Sequence, residues 1–205
     1  MKQFVVAGIG TEIGKTFISA VITEALEADY WKPVQAGSPA DSDYIRQLLS
    51  NPNTFCHPEG YRLKAPMSPH AAAQAEGVRI DLNKLVVPQT TNDLVIELAG
   101  GLMVPLNSSC LNTDLIKMWD LPVILISRNY LGSINHTLLS IVLLKQLEVN
   151  VRGIIFNGDS NSASEDFILR YSGLRCIGKV PQQSVINRDV VRNLAAKLKP
   201  QLLEI

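Results

Sequence analysis

No charge of one sign prevails in this sequence of 205 residues. Lysine plus arginine and aspartate plus glutamate both number 19, and the formal net charge is +0 at pH 7. A general nucleic-acid binder shows a basic excess, so the balance argues against one. No apolar run approaches the roughly 18 residues that would span a membrane. Yet apolar residues make up 46% of the chain and charged residues only 19%, which excludes intrinsic disorder. Cysteine is scarce, and Cys56, Cys110 and Cys176 stand far apart. An odd, dispersed set predicts reduced thiols and a cytoplasmic protein, not a disulfide framework. His57, His70 and His136 are as scattered, so no cluster has zinc-ligand spacing. There is no internal repeat, low-complexity tract or long linker. Met1-Lys2-Gln3 runs straight into a strand-like segment, an N-terminus without a signal-peptide pattern. At roughly 100–200 residues per domain, the length predicts one domain over residues 1–205.

What the sequence does have is an alternation of short apolar runs and longer helical stretches. Phe4 to Ala7, Tyr30 to Val34, Leu94 to Ile96, Val123 to Ile126, Val151 to Phe156 and Cys176 to Val180 read as strands. Lys15 to Ala28, Asp41 to Ser50, Ser133 to Gln146, Glu165 to Tyr171 and Arg188 to Leu198 read as helices. Ser42 or Asp41 is available as an N-cap for the second of these. Continuous apolar strands are those covered on both faces. The alternation therefore predicts an α/β fold, a mostly parallel sheet with helices on both sides. Asn51 to Pro69, with four prolines and little periodicity, reads as an excursion over the strand ends. Ligands in such sheets bind at the carboxyl ends of the strands.

The loop after the first strand is Gly8-Ile9-Gly10-Thr11-Glu12-Ile13-Gly14-Lys15-Thr16. Gly14-Lys15-Thr16 opening a helix after a buried strand is the core of a P-loop. Its amides and the helix N-terminus cradle phosphate, Lys15 reaches the terminal phosphates, and the Thr16 hydroxyl ligates Mg2+. The spacing departs from the usual pattern, which has glycine where Ile9 stands. A dinucleotide fingerprint starting at Gly8 fails too, because it requires glycine at Ile13.

Further segments carry a resemblance. Thr11 to Thr16, with the longer spacing back to Gly8, is similar to the phosphate loop of the dethiobiotin synthase family. Lys32-Pro33-Val34-Gln35-Ala36-Gly37 resembles that family's second-strand motif, and Ser42-Asp43 its following helix. Ser68-Pro69-His70, running to Glu76-Gly77, and Glu97-Leu98-Ala99-Gly100-Gly101 resemble its substrate segment and acidic strand end. Leu131 to His136, Asn157 and Gly178 to Pro181 complete the series, over about residues 4 to 181.

The resemblance implies a P-loop NTPase-like fold and a definite reaction: 7,8-diaminononanoate, CO2 and ATP give dethiobiotin, ADP and phosphate. It implies ATP and Mg2+ as cofactors, a homodimer, and neither nucleic acid nor membrane as partner. Nucleotide contacts are implied along Glu12, Ile13, Gly14, Lys15, Thr16 and Phe17, at Asn157 and at Pro181. Thr16, Asp43 and Glu97 are the implied Mg2+ ligands, hard oxygen donors from three strand ends. Lys15, Lys32 and Thr11 are the implied catalytic groups, since phosphoryl transfer needs cations and positioning more than a strong base. Gly37, Ser68, Pro69 and His70 are implied substrate contacts. Ser133, Ile134 and Asn135, at a helix start near the dimer interface, are implied to hold the substrate carboxylate through free amides.

Two departures stand out. Leu98 replaces the family's usual glycine after the acidic residue, and Ala36 a usual Ser or Thr. Leu98 is expected on the face of the strand opposite Glu97, packed against the sheet. Another reading is a P-loop switch or partitioning ATPase acting through dimerisation and a partner, in which Lys32 and Ser68-Pro69-His70 have no evident task. A third is a binding protein that keeps the fold without turnover, supported only by Leu98 and Ala36.

Overall fold

The structure, a computed structural model, describes all of residues 1–205. Nine strands and seven α-helices follow one another along the chain. Seven strands form one sheet: β1 (Gln3–Gly8), β2 (Asp29–Trp31), β4 (Cys56–His57), β6 (Leu94–Gly101), β7 (Val123–Arg128), β8 (Val151–Asn157) and β9 (Cys176–Val180). Their order is β4-β2-β6-β1-β7-β8-β9, and every pairing is parallel. Two further strands, β3 (Val34–Ala36) and β5 (Tyr61–Leu63), pair parallel beside it.

Alternation along each strand sends neighbouring side chains to opposite faces. Phe4 and Val6 enter an apolar layer with Ile18 and Ile22 of α1 (Lys15–Leu26), Ile45 of α2 (Asp41–Leu48) and Leu198 of α7 (Arg188–Leu203). Val5 and Ala7 enter the opposite layer. There they meet Ala72 of α3 (Pro69–Ala75), Leu115 of α4 (Asn112–Trp119), Ile141 of α5 (Ser133–Gln146) and Ile168 of α6 (Ser162–Ser172). Helices thus cover both faces, as the apolar strands require. β1 is central, paired with β6 on one side and β7 on the other; the chain first builds outward on the β6 side and then, crossing over from β6, on the β7 side. That divergence opens a crevice at the carboxyl ends of the strands.

Several expectations need correction. The second strand ends at Trp31, because Pro33 cannot donate to the ladder, and extension resumes at Val34 as part of the small sheet. The excursion contains β4 and β5, and Pro69 occupies the first turn of α3 instead of ending the loop. Helices α3 and α4 went unread. α2 is capped by Ala40 without a side-chain bond, so neither Asp41 nor Ser42 is the N-cap. Ser42 Oγ instead donates to Glu59, and Asp41 takes the first helical position.

Candidate active site

The turn after β1 carries the lysine inward. Gly14 caps α1 in the left-handed region, at φ 84, and a Cβ there would collide with the Asn157 amide. Glycine is needed on both counts. At Gly8 a Cβ would come within 2.6 Å of Ile13 Cδ1 and 2.8 Å of Lys15 Cδ. The backbone at Gly8 therefore passes against the Lys15 stem, which accounts for glycine at this displaced spacing. Lys15 is 7% exposed, and its Nζ donates to the Gly10 carbonyl at 2.8 Å. Burial lowers its pKa to about 8, Glu97 opposes that, and Lys32 adds to it.

Anionic phosphate beside Lys15 favours the ammonium, so nucleotide binding raises that pKa again. Above pH 8 the free protein has lost part of this charge, and binding must take up a proton. Calorimetric titration with ADP at pH 8.5, in buffers of different ionisation enthalpy, is expected to show net uptake. Affinity should fall as pH rises through about 8. Buffer-independent heats would contradict this linkage.

Beside Lys15 lies a buried ionic cluster. Lys32 Nζ donates to Asp41 Oδ2 and, at 3.1 Å, to Glu97 Oε1. Thr16 Oγ1 donates to the same Glu97 oxygen at 2.9 Å, and Tyr30 Oη to Glu97 Oε2 at 2.9 Å. Burial works to raise the Glu97 pKa, but Lys32, Lys15 and these hydrogen bonds hold it below the usual carboxylate range. Burial works to lower the Lys32 pKa, and the two carboxylates more than offset it. Leu98 is buried in the α3–α6 layer, so it leaves Glu97 unobstructed on the other face.

Asp43 does not join this cluster. It is exposed and paired with Arg46 and Arg62, while Asp41 faces Lys32. The Gln35 side chain accepts from the Asp41 amide at 3.1 Å and fixes where α2 begins. Two positions further along a helix is about 200° around it, so Asp43 faces solvent. Asp41→Ala is therefore expected to lower turnover about 10–100-fold, and Asp43→Ala less than about twofold. Steady-state rates of both variants check this, and the reverse order would restore Asp43.

A cavity of ≈ 800 Å³ collects these groups. Thr11, Glu12, Gly14, Lys15, Thr16, Phe17, Lys32, Asp41, Glu97 and Asn157 line it, and so do Gly37, Ala36, Ser68 and Pro69. The other sequence candidates stand apart from the lining. Ile13 is core, and its carbonyl accepts from Asn157 Nδ2 at 2.8 Å. Pro181 adjoins the lining residues Gln182 and Gln183. His70 lies in α3 behind Pro69, with Nδ1 buried and unpartnered. Ser133, Ile134 and Asn135 lie outside the cavity of the single chain, and Ser133 Oγ accepts from the Tyr130 amide. Tyr30, Asp41, Gln35, Arg128 and Gln182 were missed. Asp41 had a signal, as a carboxylate two residues from the one chosen, and so had Gln35, inside the Lys32 to Gly37 motif.

A central strand, a glycine-rich turn, and a buried lysine and hydroxyl opening a helix define a P-loop NTPase-like protein. Solved structures agree on the fold: a Pyrococcus furiosus cell division ATPase MinD superposes with TM-score 0.65 at 12% identity, covering 100% of this chain and 99% of that one. A ParA family ATPase from Chlorobium tepidum gives 0.62 at 13% identity, covering 98% and 97%. A family model described as an AAA domain matches residues 2–190. An ATP-dependent dethiobiotin synthetase of Cytophaga hutchinsonii is 49% identical over 200 residues, 97% of each chain. One from Christiangramia forsetii is 46% identical over 206 residues, 100% of this chain and 99% of that one. The chain belongs to the ATP-dependent dethiobiotin synthetase family, and it is an enzyme.

Proposed function

We propose that this enzyme closes a cyclic urea in biotin biosynthesis, converting 7,8-diaminononanoate, CO2 and ATP to dethiobiotin, ADP and phosphate. The observation that carries the reading is the pair of buried cations, Lys15 and Lys32, in one cavity with Thr16, Asp41 and Glu97. One cation belongs to the phosphate loop, and the other lies on the side of Gly37 and Pro69.

In this reading one amine attacks CO2 and loses a proton, forming a carbamate. A carbamate oxygen then attacks the γ-phosphorus as its bond to ADP breaks. The second amine attacks the carbamoyl carbon, phosphate departs with the CO2-derived oxygen, and the ring closes. Lys15 holds the terminal phosphates. Lys32 holds the carbamate and the phosphoryl group in transit, with Thr11 as a further donor. Gly37, Ser68 and Pro69 position the diamine, whereas Glu12, Phe17 and Asn157 meet the nucleotide.

The oxygen set of Thr16, Asp41 and Glu97 suits a hard cation, and the Lys32 ammonium already lies against both carboxylates. Mg2+ bound there supplies charge neutralisation for the triphosphate. Ser133 to Asn135, outside the cavity, reach the substrate carboxylate only from a second copy, so the reading includes a homodimer. Free Cys56, Cys110 and Cys176 suit a reducing cytoplasm.

The test is incubation with the diamine, 18O-labelled bicarbonate and MgATP. A cyclic urea should appear by mass analysis, with one labelled oxygen in the released phosphate. ATP cleavage without a urea would refute the reading, and unlabelled phosphate would refute the mixed anhydride.

A further inference from the structure

The reaction above leaves one cavity cation without a task. Arg128 ends β7, lines the cavity and is half-buried. Lys32, Lys179, Arg46 and Arg62 all pair with carboxylates, but no ion pair engages Arg128. Its partners are neutral: Nη1 donates to the Glu12 carbonyl at 3.2 Å, and Nη2 to Gln182 Oε1 at 3.2 Å. A guanidinium has five N–H donors in a planar fork, so donors remain unspent.

The surroundings fit this placement. Gly158, with φ +94, runs beneath the arginine, and a Cβ there would come 3.3 Å from Arg128 Nε and 3.7 Å from Gln182 Oε1. Three segments around the cavity therefore converge on one side chain. They are the phosphate loop at Glu12, the turn after β8 at Gly158, and the loop after β9 at Gln182. An arginine without a counter-charge, in a cavity read as taking a polyphosphate, is suited to binding an anion. Arg128 on β7 and Asn157 on β8 lie on the opposite side of β1 from β6 and β2, which bring Glu97 and Lys32 to the terminal phosphates, so Arg128 faces the other, nucleoside-bearing end of the ligand.

We propose that Arg128 is a nucleotide-binding residue of the nucleoside-monophosphate end of the site. It clamps the phosphate loop to the loop after β9 and offers its free donors to that part of the ligand. The inference rests on the ATP reading above. It predicts a loss in nucleotide affinity, expressed in KM for ATP more than in kcat.

The test is calorimetric titration of wild type, Arg128→Ala and Arg128→Lys with ADP, and with adenosine as a ligand lacking the phosphates. Arg128→Ala should weaken ADP about tenfold or more, the scale of a lost hydrogen bond to a charged group. Arg128→Lys should recover only part of that, since one ammonium does not reproduce the fork. Adenosine should change several-fold less than ADP. If Arg128→Ala does not fold, Gln182→Ala removes one bond of the clamp and should weaken ADP in the same sense. Equal ADP affinity in wild type and the folded variant would overturn the proposal, and so would equal losses for both ligands. Wild type that binds no adenine nucleotide would overturn the ATP reading itself.

Discussion

Lys32→Met is expected to cut turnover at saturating substrates about 10²–10³-fold, the scale of removing one preorganised transition-state donor. It should also destabilise the protein by about 3–5 kcal/mol, because Glu97 loses its nearest cation in a buried setting. The pH dependence separates this from a packing defect. In the wild type the depressed Glu97 pKa contributes stability above its unfolded value of about 4.3. That contribution is lost as pH falls through the folded pKa. Without Lys32, burial is opposed by less and the folded pKa rises. Protonation then relieves the buried carboxylate, so the deficit relative to wild type should shrink as pH falls toward 5. Denaturant unfolding of both proteins at pH 5 and pH 8 checks it. A deficit independent of pH would mean that Glu97 is not left unpaired.

Lys15→Ala should lose about 10²–10³ in kcat for the same reason, with a much smaller effect on the fold. The Lys15 amine is buried, and its pKa is lowered to about 8, so the environment disfavours its charge. Removing it costs the hydrogen bond to Gly10, the packing of its buried stem against Gly8 and one of the cations beside Glu97, and it relieves that desolvation. The melting temperature is expected to fall much less than in Lys32→Met while turnover collapses. Retained turnover would exclude the phosphate-loop assignment.

The phosphate loop was legible because its residues are consecutive and local spacing determines its shape. Glu97 was legible as a carboxylate after the apolar run Leu94 to Ile96, although β6 continues to Gly101, and Lys32 as a lysine before Pro33. The choice between Asp41 and Asp43 was not. It depends on the rotational phase of α2, which a hydrogen bond from the Asp41 amide to Gln35 sets across the loop. Tyr30 reads only as the start of a strand, and its ring is core; its hydroxyl, 2.9 Å from Glu97, belongs to the site. α3 was hidden by Pro69, which marks a loop or a first helical turn equally well. α4 is short, with Leu115 and Ile116 as its fully buried apolar residues, too little for a period to show. Arg128 shows no local pattern, since Glu12 and Gln182 lie 116 and 54 residues away.

The two apolar layers also divide the cavity wall by ancestry of parts. Lys15, Thr16 and Phe17 come from α1, and Asp41 from α2, both in one layer. Ser68 and Pro69 come from the start of α3, in the other. In the proposed reading, a different acceptor amine calls for edits around residues 66–69, at the start of α3. In the same reading, the groups of the α1–α2 layer that hold the nucleotide can stay as they are.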